Sequence, residues 1–501
     1  MKDWLKYILF VLVCTLIAGI AFTSSDFFTA PFLNMKDGLI LFFQWCVLML
    51  AMTSVVYLLS LNKYVFAVFY PLIFFFSAIL TYFRYTTGTT FTTMILDAAL
   101  DNDTQITLEL INSGLILIIL ISLVISILLV VYRFREITIS RPWLNFCIAI
   151  VLFLIIFNIP RIKGPVQERI PFNLYFTTVR YFSEKQEALS ERHPFPKPAF
   201  SNDEDLTVLF IMGESLRADH LGLNGYERNT TPLLSQEDII SFPHIYSPYT
   251  HTNPSVAYIM TRADSLHTER AYTERSFIDL FRQSGFYTAW LANQEPAKAY
   301  VYFMYESDTL LYGNRNKSVY VFDKWVDEEL LPPFRDILAQ EKKNKMIIMH
   351  TIGSHWYYNS HFTDEYQQYN PVTSSRVVSS NTAEEMINSY DNTILYTDYF
   401  ICQTIEALRD KNAVLIYLSD HGEALGEDGV WLHAAESEML HKPACFLWLS
   451  DLYKELHPGK EDALVKNKDK RYGTDFLFHT ILDAAGIESE LFRAEQSLFR
   501  D

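Results

Sequence analysis

The chain has 501 residues, enough for two or three domains, and half of them are hydrophobic. A net charge of −17 excludes nucleic acid as a partner. Only five cysteines are present, so the fold must rest on the size of its core rather than on covalent staples.

Hydrophobic residues concentrate before Pro160. Five segments approach or exceed membrane-spanning length: Trp4–Phe22, Gly38–Ser60, Tyr64–Phe83, Leu115–Tyr132 and Trp143–Ile159, the last being the shortest. The first has a long apolar core with no small-residue cleavage site after it, and reads as an uncleaved anchor. Lys2, Lys6, Lys63, Arg133, Arg135 and Arg141 fall on one side of the stack, which the positive-inside rule makes cytoplasmic. Everything after Pro160 is then outside the cytoplasm, which in a bacterium means the periplasm or outer surface. The loop Arg84–Gly114 is too long for a simple turn, and its core reads as one or two short helices. Asn173–Leu189 places aromatics on one face and charges on the other, as an interfacial helix would. A proline-rich, charged linker starts at His193. The expected domains are a membrane part over 1–160, an interfacial helix and linker over 161–204, and an exported catalytic part over 205–501.

From Leu206 onward, apolar runs alternate with helical patterns. Strands are predicted at Leu206–Met212, Phe286–Ala292, Ser318–Phe322, Met346–Thr351, Ala413–Ser419 and Ala444–Leu449, and helices near Arg275–Ser284, Phe334–Lys342 and Ala383–Leu408. The alternation predicts an α/β domain with a mostly parallel central sheet. Cys14, Cys46 and Cys147 lie in the spans; Cys402 and Cys445 are expected to be buried free thiols.

Two strand ends carry the chemistry. Glu214 follows the first strand, and Asp420 and His421 follow the strand Ala413–Ser419. Hard oxygens and an imidazole at the carboxyl edge of such a sheet suit zinc or a similar divalent ion, provided the two strands are neighbours. Two hydroxyls are candidate nucleophiles. Ser215 adjoins Glu214, and Thr252 lies in SPYTHTNPS where a helix begins near Pro254. Unpaired N–H groups at a helix start favour phosphate, which favours Thr252. His355 and His433 follow strand ends and are expected to contact a ligand or phosphate. His350 is expected to pack within its strand, and His251 is left open between orienting substrate and being solvated.

The motifs GESLRA at Gly213, LNGYERNTTP at Leu223, WLANQE at Trp290, HTIGSH at His350, YDNTILYTDYF at Tyr390 and SDHGEALGEDGVWLH at Ser419 occur in this order. With the five spans they resemble the bacterial phosphoethanolamine transferases of the alkaline phosphatase/sulfatase superfamily, which decorate lipid A and other envelope glycans. The resemblance implies a zinc enzyme with one ion and room for a second. It implies ligands Glu214, Thr252, Asp420 and His421, with Thr252 carrying the phosphoethanolamine intermediate. It places His355, His433, Asn293, Gln294 and Glu423 on the substrate side.

By the same resemblance the donor is phosphatidylethanolamine, which releases diacylglycerol, and the acceptor is an envelope glycolipid or glycan. The protein is expected to be a monomer in the bacterial inner membrane with its catalytic domain in the periplasm. Three features depart from the family: Ser215 stands where threonine is usual, Tyr258 stands where a bracketing cysteine would fall, and LHAAESEMLHKP replaces the usual stretch after the histidine. A phosphoglycerol transferase and a catalytically inactive glycan-binding scaffold are the rival readings. A sulfatase is disfavoured because no Cys/Ser-x-Pro-x-Arg motif is present.

Overall fold

The structure is a computed structural model that describes residues 2–24, 27, 35–87, 90–93, 95–96, 100, 113–195, 199–313, 324–341, 343–433 and 436–500. The chain divides into two compact units, one built on Met1–Phe182 and the other on Ser183–Asn314 and Asp323–Asp501.

The first unit is helical because its segments are apolar all round and satisfy their own backbone groups. It comprises α1 (Lys2–Ala18, continued by a π-helical turn Gly19–Thr23), α2 (Met35–Leu61), α3 (Lys63–Thr87), α4 (Ser113–Glu136), α5 (Pro142–Asn158) and α6 (Pro160–Gln167). Among the described residues, four helices are long and apolar enough to cross a membrane: Asp3–Thr23, Met35–Leu61, Lys63–Thr86 and Ser113–Glu136. The fifth predicted span is the 17-residue α5. It ends where Ile159 turns extended, and its length of about 25 Å falls short of a ~30 Å hydrocarbon core. Several polar groups inside this unit are paired: Arg133 donates to the Ser60 and Ile137 carbonyls, and the Tyr57 hydroxyl donates to Asn145. The predicted interfacial helix is α7 (Phe172–Ala188), and Tyr175, Val179 and Phe182 are exposed along it. Most of the predicted helical loop between Arg84 and Gly114 lies outside the described residues.

The second unit is an α/β sandwich around a seven-stranded sheet. Its strands are β1 (Leu206–Gly213), β2 (Ile240–Ser241), β3 (Tyr287–Ala292), β4 (Thr309–Tyr312), β5 (Lys345–His350), β6 (Asn412–Ser419) and β7 (Cys445–Leu449). The order is β2-β7-β6-β1-β5-β3-β4, parallel except where β7 meets its neighbours β6 and β2. Every residue of β1, β5, β6 and β7 is buried, as expected of strands covered by helices on both faces. The two-residue β2 and the half-buried β4 escape sequence patterning, and the predicted strand Ser318–Phe322 lies outside the described residues.

The helices that matter for the site are α8 (Thr252–Met260), α9 (Phe277–Gln283), α10 (Leu331–Leu338) and α11 (Ala383–Leu408). The last coincides with its predicted bounds because Thr382 and Glu385 form a capping box. Its buried face explains two of the sequence motifs as one interlock. Asp391, fully buried, accepts from His220, the Tyr226 hydroxyl and Arg228, at 2.8, 3.0 and 2.8 Å. Two turns on, Asp398 accepts from the backbone N–H groups of Leu233 and Leu234. LNGYERNTTP is thereby fastened to YDNTILYTDYF. Cys445 is a buried free thiol, whereas Cys402 is a free thiol on α11 that is only half-buried, because its helix position turns partly to solvent.

Candidate active site

The register of β1 against β6 pairs Gly213 with Ser419, so Glu214 and Asp420 leave two neighbouring strands side by side. Glycine is needed at both ends. A Cβ on Gly213 would lie 2.1 Å from the Tyr417 hydroxyl, and one on Gly422 would lie 2.1 Å from the Met439 carbonyl oxygen. These contacts account for the glycines of GES and DHG.

The structure brings Glu214, Asp420 and His421 together, each with a ligand atom within 4.8 Å of the others. His421 Nε2 stands 3.5 Å from Glu214 Oε1 and 3.4 Å from Asp420 Oδ2, long for hydrogen bonds. Its Nδ1 faces the Gly422 carbonyl at 2.6 Å, the arrangement that leaves Nε2 with a lone pair. Asp420 Oδ2, His421 Nε2 and Glu423 Oε2 are buried without a hydrogen-bond partner among the described residues. Buried polar atoms are as a rule paired, so unpartnered Asp420 Oδ2 and His421 Nε2 in one tight group with Glu214 fit a cation.

The electrostatics agree. Burial and the neighbouring Glu214 push the Asp420 carboxyl up to about 7, against the pull of His421. Burial also pushes the Glu214 carboxyl up, but the His421 and His355 imidazoles and hydrogen bonds from Gln294 and Ser215 outweigh it and hold the group ionised. Burial opposes the charge on His421, and the two carboxylates overcome it and raise that imidazole.

Both candidate hydroxyls reach Glu214. Thr252 Oγ1 donates to Oε2 at 3.0 Å, and Ser215 Oγ donates to Oε1 at 2.8 Å. Their backbones differ. Thr252 is the first residue of α8, while Ser215 is held in the left-handed region at φ 57°.

Gln294 donates to Glu214 Oε2 at 2.9 Å and to the Thr351 carbonyl at 2.8 Å, so both amide hydrogens serve the protein. Asn293 is likewise engaged: its amide donates to the Val326 carbonyl and Asp327, and its oxygen accepts from Trp325 Nε1. Glu423 is fully buried, accepts from the Tyr358 hydroxyl at 2.9 Å, and faces His433 Nδ1 at 3.5 Å. The His433 ring lies 5.5 Å from that of His421.

His355 is half-buried, with Nδ1 on the Trp356 carbonyl at 2.5 Å. Sequence reasoning missed its neighbour His361, whose ring lies 6.3 Å away and whose Nδ1 faces the Trp325 carbonyl at 2.8 Å. Burial draws His361 down to about 3, keeping it neutral. The second histidine in SHWYYNSH was the available signal. His350 packs edge-on against Trp290 and Tyr300 at the end of β5. His251 is exposed at the N-cap of α8 and makes no capping hydrogen bond there.

The model of the sulfatase family matches residues 207–487. The phosphoethanolamine transferase EptA of Salmonella typhimurium is 30% identical over 328 residues, covering 62% of this chain and 58% of that relative. The chain thus spans under three fifths of the length of the curated relatives it first matches. The soluble domain of lipooligosaccharide phosphoethanolamine transferase A from Neisseria meningitidis superposes with a TM-score of 0.56 at 27% identity, over 62% of this chain and 97% of that one. The integral membrane form of that transferase gives 0.56 at 22% identity over 98% of both chains, a likeness of fold. The match runs over more than half of the sequence and encloses the acid–imidazole cluster at the β1–β6 edge, and this chain belongs to the sulfatase family.

Proposed function

We propose that the protein transfers phosphoethanolamine from phosphatidylethanolamine to a hydroxyl or phosphate of an envelope glycolipid or glycan, with Thr252 as the nucleophile. The reading rests on one observation above all: Thr252 opens a helix and places its hydroxyl on Glu214 inside a cluster of buried, unpartnered ligand atoms. Similarity to phosphoethanolamine transferases supports the transferred group.

Glu214, Thr252, Asp420 and His421 would hold zinc, the four ligands that ion prefers. When bound, it supplies a Lewis acid that lowers the pKa of the threonine hydroxyl and offsets charge on the phosphoryl oxygens. The Thr252 proton is directed at Glu214 Oε2, which frees the oxygen lone pair for attack on phosphorus. A Thr252 Oγ–P bond forms as the P–O bond to diacylglycerol breaks. His433, raised by Glu423 and positioned beside His421, is placed to protonate the departing oxygen. The acceptor oxygen then displaces Thr252 from phosphorus, its proton passing to His433 as the Thr252 proton returns from Glu214 to the freed Oγ. His355, with Nδ1 anchored to a carbonyl, presents Nε2 to the phosphoethanolamine group. The four long apolar helices would hold this domain at the outer leaflet of the bacterial inner membrane, near its lipid donor.

Incubation with phosphatidylethanolamine followed by peptide mass mapping tests the reading. Phosphoethanolamine on Thr252 is expected. Thr252→Ala should abolish both the adduct and diacylglycerol release, whereas Ser215→Ala should keep measurable turnover. An adduct on Ser215 with Thr252 unmodified would overturn the assignment, and turnover of phosphatidylglycerol in preference to phosphatidylethanolamine would overturn the donor.

A further inference from the structure

We propose that Tyr390 is a positioning residue for the metal cluster, acting through the left-handed turn at Ser215; the inference rests on the metal reading above. The turn after β1 must deliver Glu214 and the N–H of Ser215 to the same point. It does so with Ser215 at φ 57°, a conformation an L-residue adopts only when its surroundings impose it. The surroundings are visible. Ser215 N donates to Asp420 Oδ1 at 3.2 Å, which ties the turn to the second ligand. The Tyr390 hydroxyl donates to the Ser215 carbonyl at 2.7 Å and accepts from Arg217 N at 2.9 Å. One phenol oxygen therefore bridges the backbone groups on either side of Leu216 and closes the turn from behind.

Tyr390 suits this task because it cannot move. Its side chain is fully buried on α11, packed edge-on against the rings of Tyr358 and His220. Tyr358 itself donates to Glu423, and Arg217, the residue whose N–H the phenol receives, donates from its guanidinium to the Glu423 carbonyl. The same clamp thus touches the backbone of both ligand-bearing segments. Removing only the hydroxyl would leave two buried backbone groups unpaired while keeping the ring, so the turn would relax toward ordinary φ and Glu214 would lose its aim.

The test is a double-mutant cycle read by zinc affinity in a chelator competition, with the full-length protein in detergent. Tyr390→Phe is expected to weaken zinc about tenfold, equivalent to about 1.4 kcal/mol, and to lower kcat while leaving KM for phosphatidylethanolamine within twofold. In the Ser215→Gly background, where φ 57° carries no steric penalty, the same substitution should weaken zinc less than threefold. Tyr453→Phe removes another buried hydroxyl, bonded to the Ala484 carbonyl at 2.8 Å, and should leave zinc affinity unchanged. Wild-type zinc affinity in folded Tyr390→Phe, or an equal loss in both backgrounds, would overturn the proposal. Should Tyr390→Phe fail to fold alone, Arg217 N–H exchange in the unmodified protein decides: exchange as fast as at an exposed amide would overturn it, and protection would uphold it. A wild-type protein that binds no zinc would instead overturn the underlying metal reading.

Discussion

The two ends of the same strands treat charge in opposite ways. At the amino edge, where β1, β5 and β6 begin, an open cleft of about 510 Å³ is lined by Asp205, Glu341, Lys343, Lys345, Asp410 and Lys411. Acids and lysines alternate there, and a pair such as Lys343–Glu204 at 3.9 Å stands about three-quarters exposed. Water screens such charges, and they carry little energy. At the carboxyl edge Glu214, Asp420, His421 and Glu423 are at most 1% exposed. For Glu214 and His421 neighbouring groups outweigh the desolvation penalty, while for Asp420 burial and Glu214 prevail and push the carboxyl up. Residue types alone do not separate the edges. Burial without a partner does.

Substitutions can break this contrast, and the largest effect should come from the carboxyl edge. Asp420→Ala is expected to lose zinc and to lower turnover on the order of 10³-fold, measured by metal analysis and diacylglycerol release. Full zinc occupancy in that variant would remove Asp420 from the site. Next comes Gly422→Ala. Its new Cβ meets backbone rather than a yielding side chain, so melting should fall by about 5 °C or more, with activity falling too.

A third test concerns a buried acid away from the cluster. Burial raises Glu306 to about 7 from 4.5 despite its hydrogen bonds from Ser276. Between those values the folded state binds more protons than the unfolded one. Stability is therefore fullest below pH 4.5 and declines as pH rises through about 7, by an amount on the order of 3 kcal/mol. Glu306→Gln should flatten that decline in melting temperature between pH 5 and 8; an unchanged slope would show that Glu306 is not its source. The smallest effect belongs to the amino edge. Lys343→Ala should leave turnover within twofold and melting unchanged, and a marked loss would mean that the cleft has a role its exposure does not suggest.

The positions of β1, β3, β5, β6 and β7 and of the acids that follow β1 and β6 were legible in the sequence because both follow from local pattern, whereas the order of the strands in the sheet was not. Unbroken apolar runs announce strands buried on two faces, and an acid directly after such a run marks the edge. The helix Ala383–Leu408 was readable to the residue through its cap. What the sequence concealed depends on contacts between distant residues. Nothing near Ser215 indicates a positive φ, since the phenol that bridges its turn is 175 positions away. LNGYERNTTP and YDNTILYTDYF look like separate signatures, and only the fold shows Asp391 receiving two donors from the first, Tyr226 and Arg228, and a third from His220 just before it. Gln294 and Asn293 read as substrate contacts, and their amide hydrogens are engaged with the protein. His361 stood in plain view but had no strand end beside it to draw notice.

The central place of β1 has a consequence for how the protein comes into being. β1 is made early in its domain, yet one of its two partners, β6, follows some two hundred residues later, and Ser215 and Asp420 are 205 positions apart. Closing so long a loop is slow and is rewarded only when the pairing is complete. Until then Glu214 lies at the end of a strand that can pair with β5 but lacks β6, and it has neither Asp420 nor His421 beside it. The acid–imidazole cluster is therefore a late product of folding, and a nascent chain shorter than β6 cannot assemble it.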